Sequence, residues 1–277
     1  MPMERGEEAG CSVNQRWLLR RGSFVHDNEI IDPKEYEVVA LYRHAEARAF
    51  VEQHHYSGSC PSVIRCFALL HGRVFQRLVG VALFSRPVAD SVLTTWFPGS
   101  ANESLELGRF VLLDSVLSNA ETWFLSRCFR MLRRDLRGVV SFSDPHPRRT
   151  AAGELVFVGH FGRIYQASNA IYAGLATPRT VHLFDDATIF NERAQSKVRK
   201  GPGYKGFDYA SALLTARGAV PLCEGESPAT WLQAWRSRLT RAARHTGNHR
   251  YLFPFHRQDR ERLRSLAPYP KQIGAVL

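Results

Sequence analysis

The chain has 277 residues, 44% of them hydrophobic, and a formal net charge of +11. That length supports one sizeable core with appendages, and no run approaches the roughly 20 apolar residues of a membrane helix. The charge points to a polyanion, nucleic acid first, without separating a DNA enzyme from a ribosomal or membrane-surface protein.

Residues 1–35 alternate charges with short apolar pieces, and Asp32-Pro33 disfavours a helix, so this stretch reads as a loose arm. Its polar, acidic start lacks the charged-then-apolar pattern of a secretory signal, which predicts a cytoplasmic protein. The five cysteines, Cys11, Cys60, Cys66, Cys128 and Cys223, show no CxxC spacing and read as reduced thiols. In residues 42–55, Ala47, Phe50, Val51 and His54 recur at i, i+3, i+4 and i+7, predicting an amphipathic helix that ends in the turn Tyr56-Ser57-Gly58-Ser59. Apolar runs at 63–70 and 78–84 predict a hairpin closed by Pro87.

Residues 105–113 alternate as a strand with Leu105, Leu107, Arg109, Val111 and Leu113 on one face. A guanidinium on that apolar face needs a partner, either an ion pair with Asp114 or Asp144 or a substrate anion. Ser118 and Glu121 have the spacing of a capping box. The helix that follows carries Leu125, Cys128, Phe129, Leu132 and Leu136 inward and Arg127, Arg130, Arg133, Arg134 and Arg137 outward. The run VVSFS predicts a strand with Asp144 at its tip, a place where carboxylates often face a cleft. In residues 160–174 the spacing of Ala167, Ala170, Ile171 and Gly174 predicts a helix, and two short strands are expected at 181–184 and near Ile189. From Trp231 onward arginines alternate with aromatics, a composition suited to phosphate contact and base stacking. The order of elements predicts an α/β fold around one mixed sheet flanked by helices. The expected divisions are an arm at 1–35, a core at 36–200 and a basic C-terminal extension at 201–277.

Four segments in this order, HHYSG at 54–58, LELGRF at 105–110 with SNAET at 118–122, SFSDP at 141–145 and GHFGRIYQASNAIYAG at 159–174, resemble the Mom-like family of phage DNA-modification proteins. The similarity covers roughly residues 36–200 and implies a GNAT-like fold. It also implies a transferase that converts the N6 amine of adenine in duplex DNA to a carbamoylmethyl form, shielding phage DNA from restriction. Carried over residue by residue, it implies catalytic roles for His55, Tyr56, Arg109, Asp144 and Tyr165. Ser118, Asn119 and Thr122 would flank a cofactor or donor, Thr122 standing where the family tends to have serine. An insertion, PHPRRTAAGELVFV, lengthens the stretch between Asp144 and the GHFG segment.

Each of these residues also has an ordinary structural reading. His54 reads as a core histidine. His55, at a helix end, is the better base, Tyr56 could simply staple the turn, and Asp144 could cap its own turn. GNAT enzymes cradle the coenzyme A pyrophosphate with a glycine-rich loop before the capped helix, whereas this chain has LLDSVLSNAE, which disfavours acetyl-coenzyme A. The donor is therefore unknown. A His/Tyr/Asp/Tyr set also suits ferric iron, as a minor alternative. Lys197, Arg199, Lys200, Lys205, Arg241, Arg244 and Arg250 are the expected DNA contacts. Two other functions stay open: a GNAT acyltransferase acting on a protein or small molecule, and a noncatalytic DNA-binding phage protein.

Overall fold

The computed structural model describes residues 13–26, 30–264 and 266–270. Cys11 and the first residues of the expected arm lie outside them. By its internal contacts the chain divides into two units, one within Met1–Ser143, His160–Gly174 and His249–Leu277, the other Asp144–Gly159 with Leu175–Asn248. It divides elsewhere than at 35 and 200, because the segment after 249 returns to the central sheet.

In the first unit, β1 (Val13–Leu18) and β2 (Arg21–His26) form an antiparallel hairpin. This corrects the loose arm. Arg16 is buried and its Nε donates to Glu121 at 2.8 Å, an interaction whose partner lies too far along the chain for composition to reveal. The central sheet contains β3 (Tyr36–Ala40), β4 (Val63–His71), β5 (Arg77–Ser85), β6 (Ser104–Leu112), β7 (Gly138–Ser143), β10 (Ile171–Leu175) and β13 (His249–Pro254). Its order is β10-β13-β7-β6-β5-β4-β3. Only the β6/β7 pair is described as parallel; β3 through β6 run antiparallel, and β13 runs antiparallel to β7.

Helix α1 (Ala45–His54) buries Ala47, Phe50, Val51 and His54, the predicted stripe. Helices α2 (Ser91–Thr94), α3 (Ala120–Leu132), α4 (Arg163–Ala167) and α8 (Arg257–Leu263) complete the unit. One face of the sheet packs Leu105, Leu107, Phe110 and Leu112 with Phe124, Leu125 and Cys128 of α3. The other packs Val81, Leu83 and Val111 with Phe50 and Val51 of α1.

Residues 171–175 form strand β10, whereas the spacing predicted helix. Asn169, at φ 58°, ends α4, and pairing with β13 takes the next segment. Helix α3 starts from N-cap Asn119, at φ 64° and without a side-chain cap bond, and the Glu121 carboxylate is held by Arg16.

The second unit contains the small hairpins β8 (Arg148–Arg149) with β9 (Leu155–Phe157), and β11 (Arg179–Leu183) with β12 (Arg241–His245). Helices α5 (Glu192–Arg199), α6 (Phe207–Thr215) and α7 (Pro228–Leu239) enclose a core of Phe184, Phe190, Val198, Phe207, Leu214 and Trp231. The insertion after Asp144 is the β8/β9 hairpin. Its ends close together, for a Cβ on Gly159 would stand 2.5 Å from the Pro145 carbonyl oxygen, so only glycine fits there. Among the described residues no helix is long and apolar enough to cross a membrane.

Candidate functional site

The pairing of β6 with β7 runs from Ser104 opposite Gly138 to Leu107 opposite Ser141 and stops there. Beyond it, β6 stays with β5 as far as Leu112, and β7 stays with β13 as far as Ser143. Two parallel strands held by different neighbours must separate, which opens the sheet at the C-terminal end of the pair, as expected for a GNAT-like sheet.

A bulge at Gly108 sets what faces this opening, because Leu107 pairs with Phe84 while Arg109 pairs with Leu83. A bulge inserts one unpaired residue and re-aims those after it. Leu105 and Leu107 therefore share a core with Phe110 and Leu112, while Val111 goes to the opposite face. The predicted single face through Arg109 and Val111 is corrected accordingly. Gly108 allows the bulge, since a Cβ there would meet Ser85 Oγ at 2.6 Å.

Arg109 is half-buried and pairs with neither Asp114 nor Asp144. Its Nε donates to the Ser59 carbonyl at 2.9 Å and its second terminal nitrogen to Ser59 Oγ at 3.2 Å, which fastens the loop after α1 to β6. Asp114 instead accepts from Ser23 Oγ at 2.9 Å.

His55 is buried as the C-cap of α1. The Ser57 amide donates to its Nδ1 at 3.1 Å. An amide hydrogen cannot face a second N–H, so Nδ1 is the bare nitrogen and neutral His55 carries its proton on Nε2. Tyr56 stacks on His55 at 4.2 Å between ring centroids, lies 4.6 Å from Trp17 and 6.1 Å from His160. His54 packs on Phe50 at 4.8 Å, as a core histidine should.

Tyr165 projects from α4 into the core beneath this cluster, 5.4 Å from the Tyr251 ring. Burial pushes its hydroxyl up to about 12, with Tyr56 and Glu106 adding to the rise and Ser141 and Arg109 opposing it. The phenol keeps its proton and stands within electrostatic reach of Tyr56, Glu106 and Arg109. These residues form one neighbourhood in the first unit, and sequence reasoning missed three of its members: Trp17, Glu106 and His160. His160 lay inside the quoted GHFG segment, and Glu106 is the lone acid on β6.

Asp144 follows β7 in sequence, but its contacts belong to the second unit. It accepts from the His146 amide at 2.9 Å and from His245 Nε2 at 3.0 Å, with Arg148 3.6 Å away. Burial would raise its carboxyl, yet the His245 hydrogen bond and the Arg148 charge outweigh it and the net shift is downward. His245 in turn accepts the Gly247 amide on Nδ1, so its Nε2 carries the proton given to Asp144. A carboxylate this well satisfied is a weak base. His245 was missed because it lies 101 residues away.

Of the expected donor residues, Asn119 is exposed, Ser118 is buried, and the Thr122 hydroxyl donates to the Asn119 carbonyl. The loop before them turns its carbonyls inward: Arg16 donates to Leu113, Val116 and Leu117.

The expected DNA contacts separate. Lys197, Arg199, Lys200 and Lys205 lie on α5 and the loop after it; Arg199 pairs with Glu192 at 2.6 Å and Lys200 bonds the Tyr204 hydroxyl at 3.0 Å. Arg241 and Arg244 are exposed on β12. Arg250 belongs to the first unit and packs half-buried over Trp96 and Phe142. Of the aromatics interleaved in the C-terminal sequence, Trp231, Tyr251 and Phe253 are buried core residues, whereas Trp235 and Phe255 are half-buried and Tyr269 is exposed.

The family model described as the Mom protein family matches residues 37–271. No curated protein matches the chain. Among solved structures, a tandem GNAT protein from the clavulanic acid biosynthesis pathway aligns with TM-score 0.34 and 8% identity, over 73% of this chain and 67% of that one. The fold assignment stands on the sheet topology rather than on that distant likeness.

Proposed function

The chain belongs to the Mom protein family, which is associated with phage DNA modification, and we propose that it transfers a carbamoylmethyl-type group to the N6 amine of adenine in duplex DNA, protecting phage DNA from restriction. The observation that carries this reading is the gathering of His55, Tyr56, Glu106, Arg109 and Tyr165 beside the separation of β6 and β7.

Joining the group through carbon requires the N6 nitrogen to attack an alkyl carbon of the donor. The new N–C bond forms as the bond to the leaving group breaks, the leaving group takes the electron pair, and N6 gives up a proton. Duplex adenine must first leave its stack. The half-buried rings of Tyr56 and His160 suit stacking on the flipped base, worth about 1–3 kcal/mol per base. The Tyr165 phenol, which keeps its proton, and the His55 ring orient acceptor atoms. Glu106, the one acid on β6, is the proposed acceptor for the N6 proton, since Asp144 already accepts from His245 and the His146 amide. Arg109 positions the His55–Ser59 loop.

The β6–α3 loop does not fit a coenzyme A pyrophosphate: it has no glycine, and the carbonyls of Leu113, Val116 and Leu117 are turned to a buried guanidinium. This supports a donor other than acetyl-coenzyme A and disfavours the acyltransferase alternative. Lys197, Lys200, Lys205, Arg241 and Arg244 are the proposed phosphate contacts to DNA.

Mass spectrometry of nucleosides from DNA of cells expressing the protein tests the proposal. A modified adenosine is expected, and it should vanish in Glu106→Gln. Unmodified DNA in the presence of folded, DNA-binding protein would refute the proposal and favour the noncatalytic alternative.

A further inference from the structure

A cavity of about 480 Å³ lies in the first unit along one face of α3, a volume in the range of roughly 300–1,000 Å³ typical of small-ligand sites. Thr122, Ser126, Phe129 and Arg130 of α3 and its C-cap Arg133 line it, repeating at helical spacing. Arg260 of α8 enters from the other side. The cavity also reaches Phe253 and Pro254, which pair with Val139 and Gly138 at the start of β7. The β6/β7 separation lies beyond Ser141, so this end of the sheet is not the one where the strands open.

Two features distinguish the cavity from an ordinary solvated helix face. The first is charge. No carboxylate lines it, and among the described residues none pairs with Arg130, Arg133 or Arg260. Asp259, the acid adjacent to Arg260, is already bound by Arg137 at 2.9 Å and by Arg262 at 3.3 Å. Arg130, Arg133 and Arg260 are exposed side chains that border one space without a counter-charge, and an anion bound there neutralises them. Guanidinium is the side chain best matched to phosphate, through paired N–H donors. The second feature is an aromatic wall: Phe129 stands 4.7 Å from Phe253 and 5.5 Å from Phe255, with Phe129 and Phe255 only half-buried. Partly exposed rings beside cations suit a planar ring, and the Ser126, Ser168 and Asn169 side chains suit hydroxyls.

We infer that this cavity is a binding site for a free nucleoside phosphate, its phosphates held by Arg130, Arg133 and Arg260 and its base laid on Phe129 and Phe255. The inference stands independently of the adenine chemistry.

Calorimetric titration of the full-length chain with ADP, pyrophosphate and adenosine tests it. ADP binds saturably and more tightly than either fragment. The variant Arg130→Gln/Arg133→Gln weakens ADP binding by about tenfold or more, as loss of charged hydrogen bonds predicts. Arg134→Gln, in the turn just after α3 and outside the cavity lining, leaves binding unchanged. No saturable ADP binding, equal binding by pyrophosphate, or undiminished binding in the double variant overturns the assignment. So does a short DNA duplex that depends on Arg130 and Arg133 where ADP does not bind. None of these outcomes alters the nucleoside analysis above.

Discussion

Replacing Arg16 with methionine removes the group that ties the N-terminal hairpin to the loop before α3. The Arg16 and Glu121 side chains are 2% and 6% exposed, with Nε 2.8 Å from Oε1. The same guanidinium also serves the carbonyls of Leu113, Val116 and Leu117. Methionine fills much of the volume but leaves a carboxylate buried without a partner, which costs about 3–5 kcal/mol. Glu121→Gln costs less, about 1–3 kcal/mol, because Arg16 keeps its carbonyl acceptors. The double variant Arg16→Met/Glu121→Gln holds no buried charge at this place and should be more stable than Arg16→Met alone by about 2 kcal/mol, a coupling that a double-mutant cycle isolates. Urea unfolding followed by tryptophan fluorescence reads this directly, since Trp17 adjoins Arg16 and packs on Tyr56. A loss below about 1 kcal/mol in Arg16→Met, or strict additivity of the two changes, would show that the hairpin is not held in this way.

Gly108→Ala should destabilise the chain by about 1–3 kcal/mol through overpacking against Ser85, and Ser85→Ala in the same chain should restore part of the loss in thermal melts, because the clashing atom is Ser85 Oγ. The folded carboxyl of Asp144 lies below its ordinary value, so its contribution is fully present above the unfolded-state pKa and disappears as pH falls through the folded value. Urea midpoints between neutral pH and pH ~3 should therefore drop more in the parent than in Asp144→Asn; parallel curves would show that the His245 and Arg148 contacts contribute nothing. Arg241→Ala/Arg244→Ala should weaken binding to all duplexes alike and flatten the log–log salt dependence by about 0.9 per lost contact, whereas Arg250→Ala should leave the slope intact because that side chain packs over Trp96. Fluorescence anisotropy across a salt series separates these outcomes.

What the sequence by itself determined is whatever local side-chain pattern encodes. Helix α1 and strands β4 to β7 lie where periodicity places them, because burial of one face repeats every 3.6 or every 2 residues whatever the partner is. His54 was legible as a core residue for the same reason, and the order of elements carried the mixed sheet. Tertiary structure decided wherever the partner lies far along the chain. Residues 171–175 became a strand because β13, from near the C-terminus, offers backbone hydrogen bonds that an isolated helical spacing cannot match. The Glu121 carboxylate is held by Arg16 in a buried site. Arg109 turned to Ser59 because a bulge at Gly108 reverses the alternation, and a bulge is set by how two strands pair rather than by the side chains of one. Asp144 became the acceptor of His245, 101 residues away. The site residues were thus partly legible as chemical types, while their protonation and partners came from contacts between segments that no local pattern links.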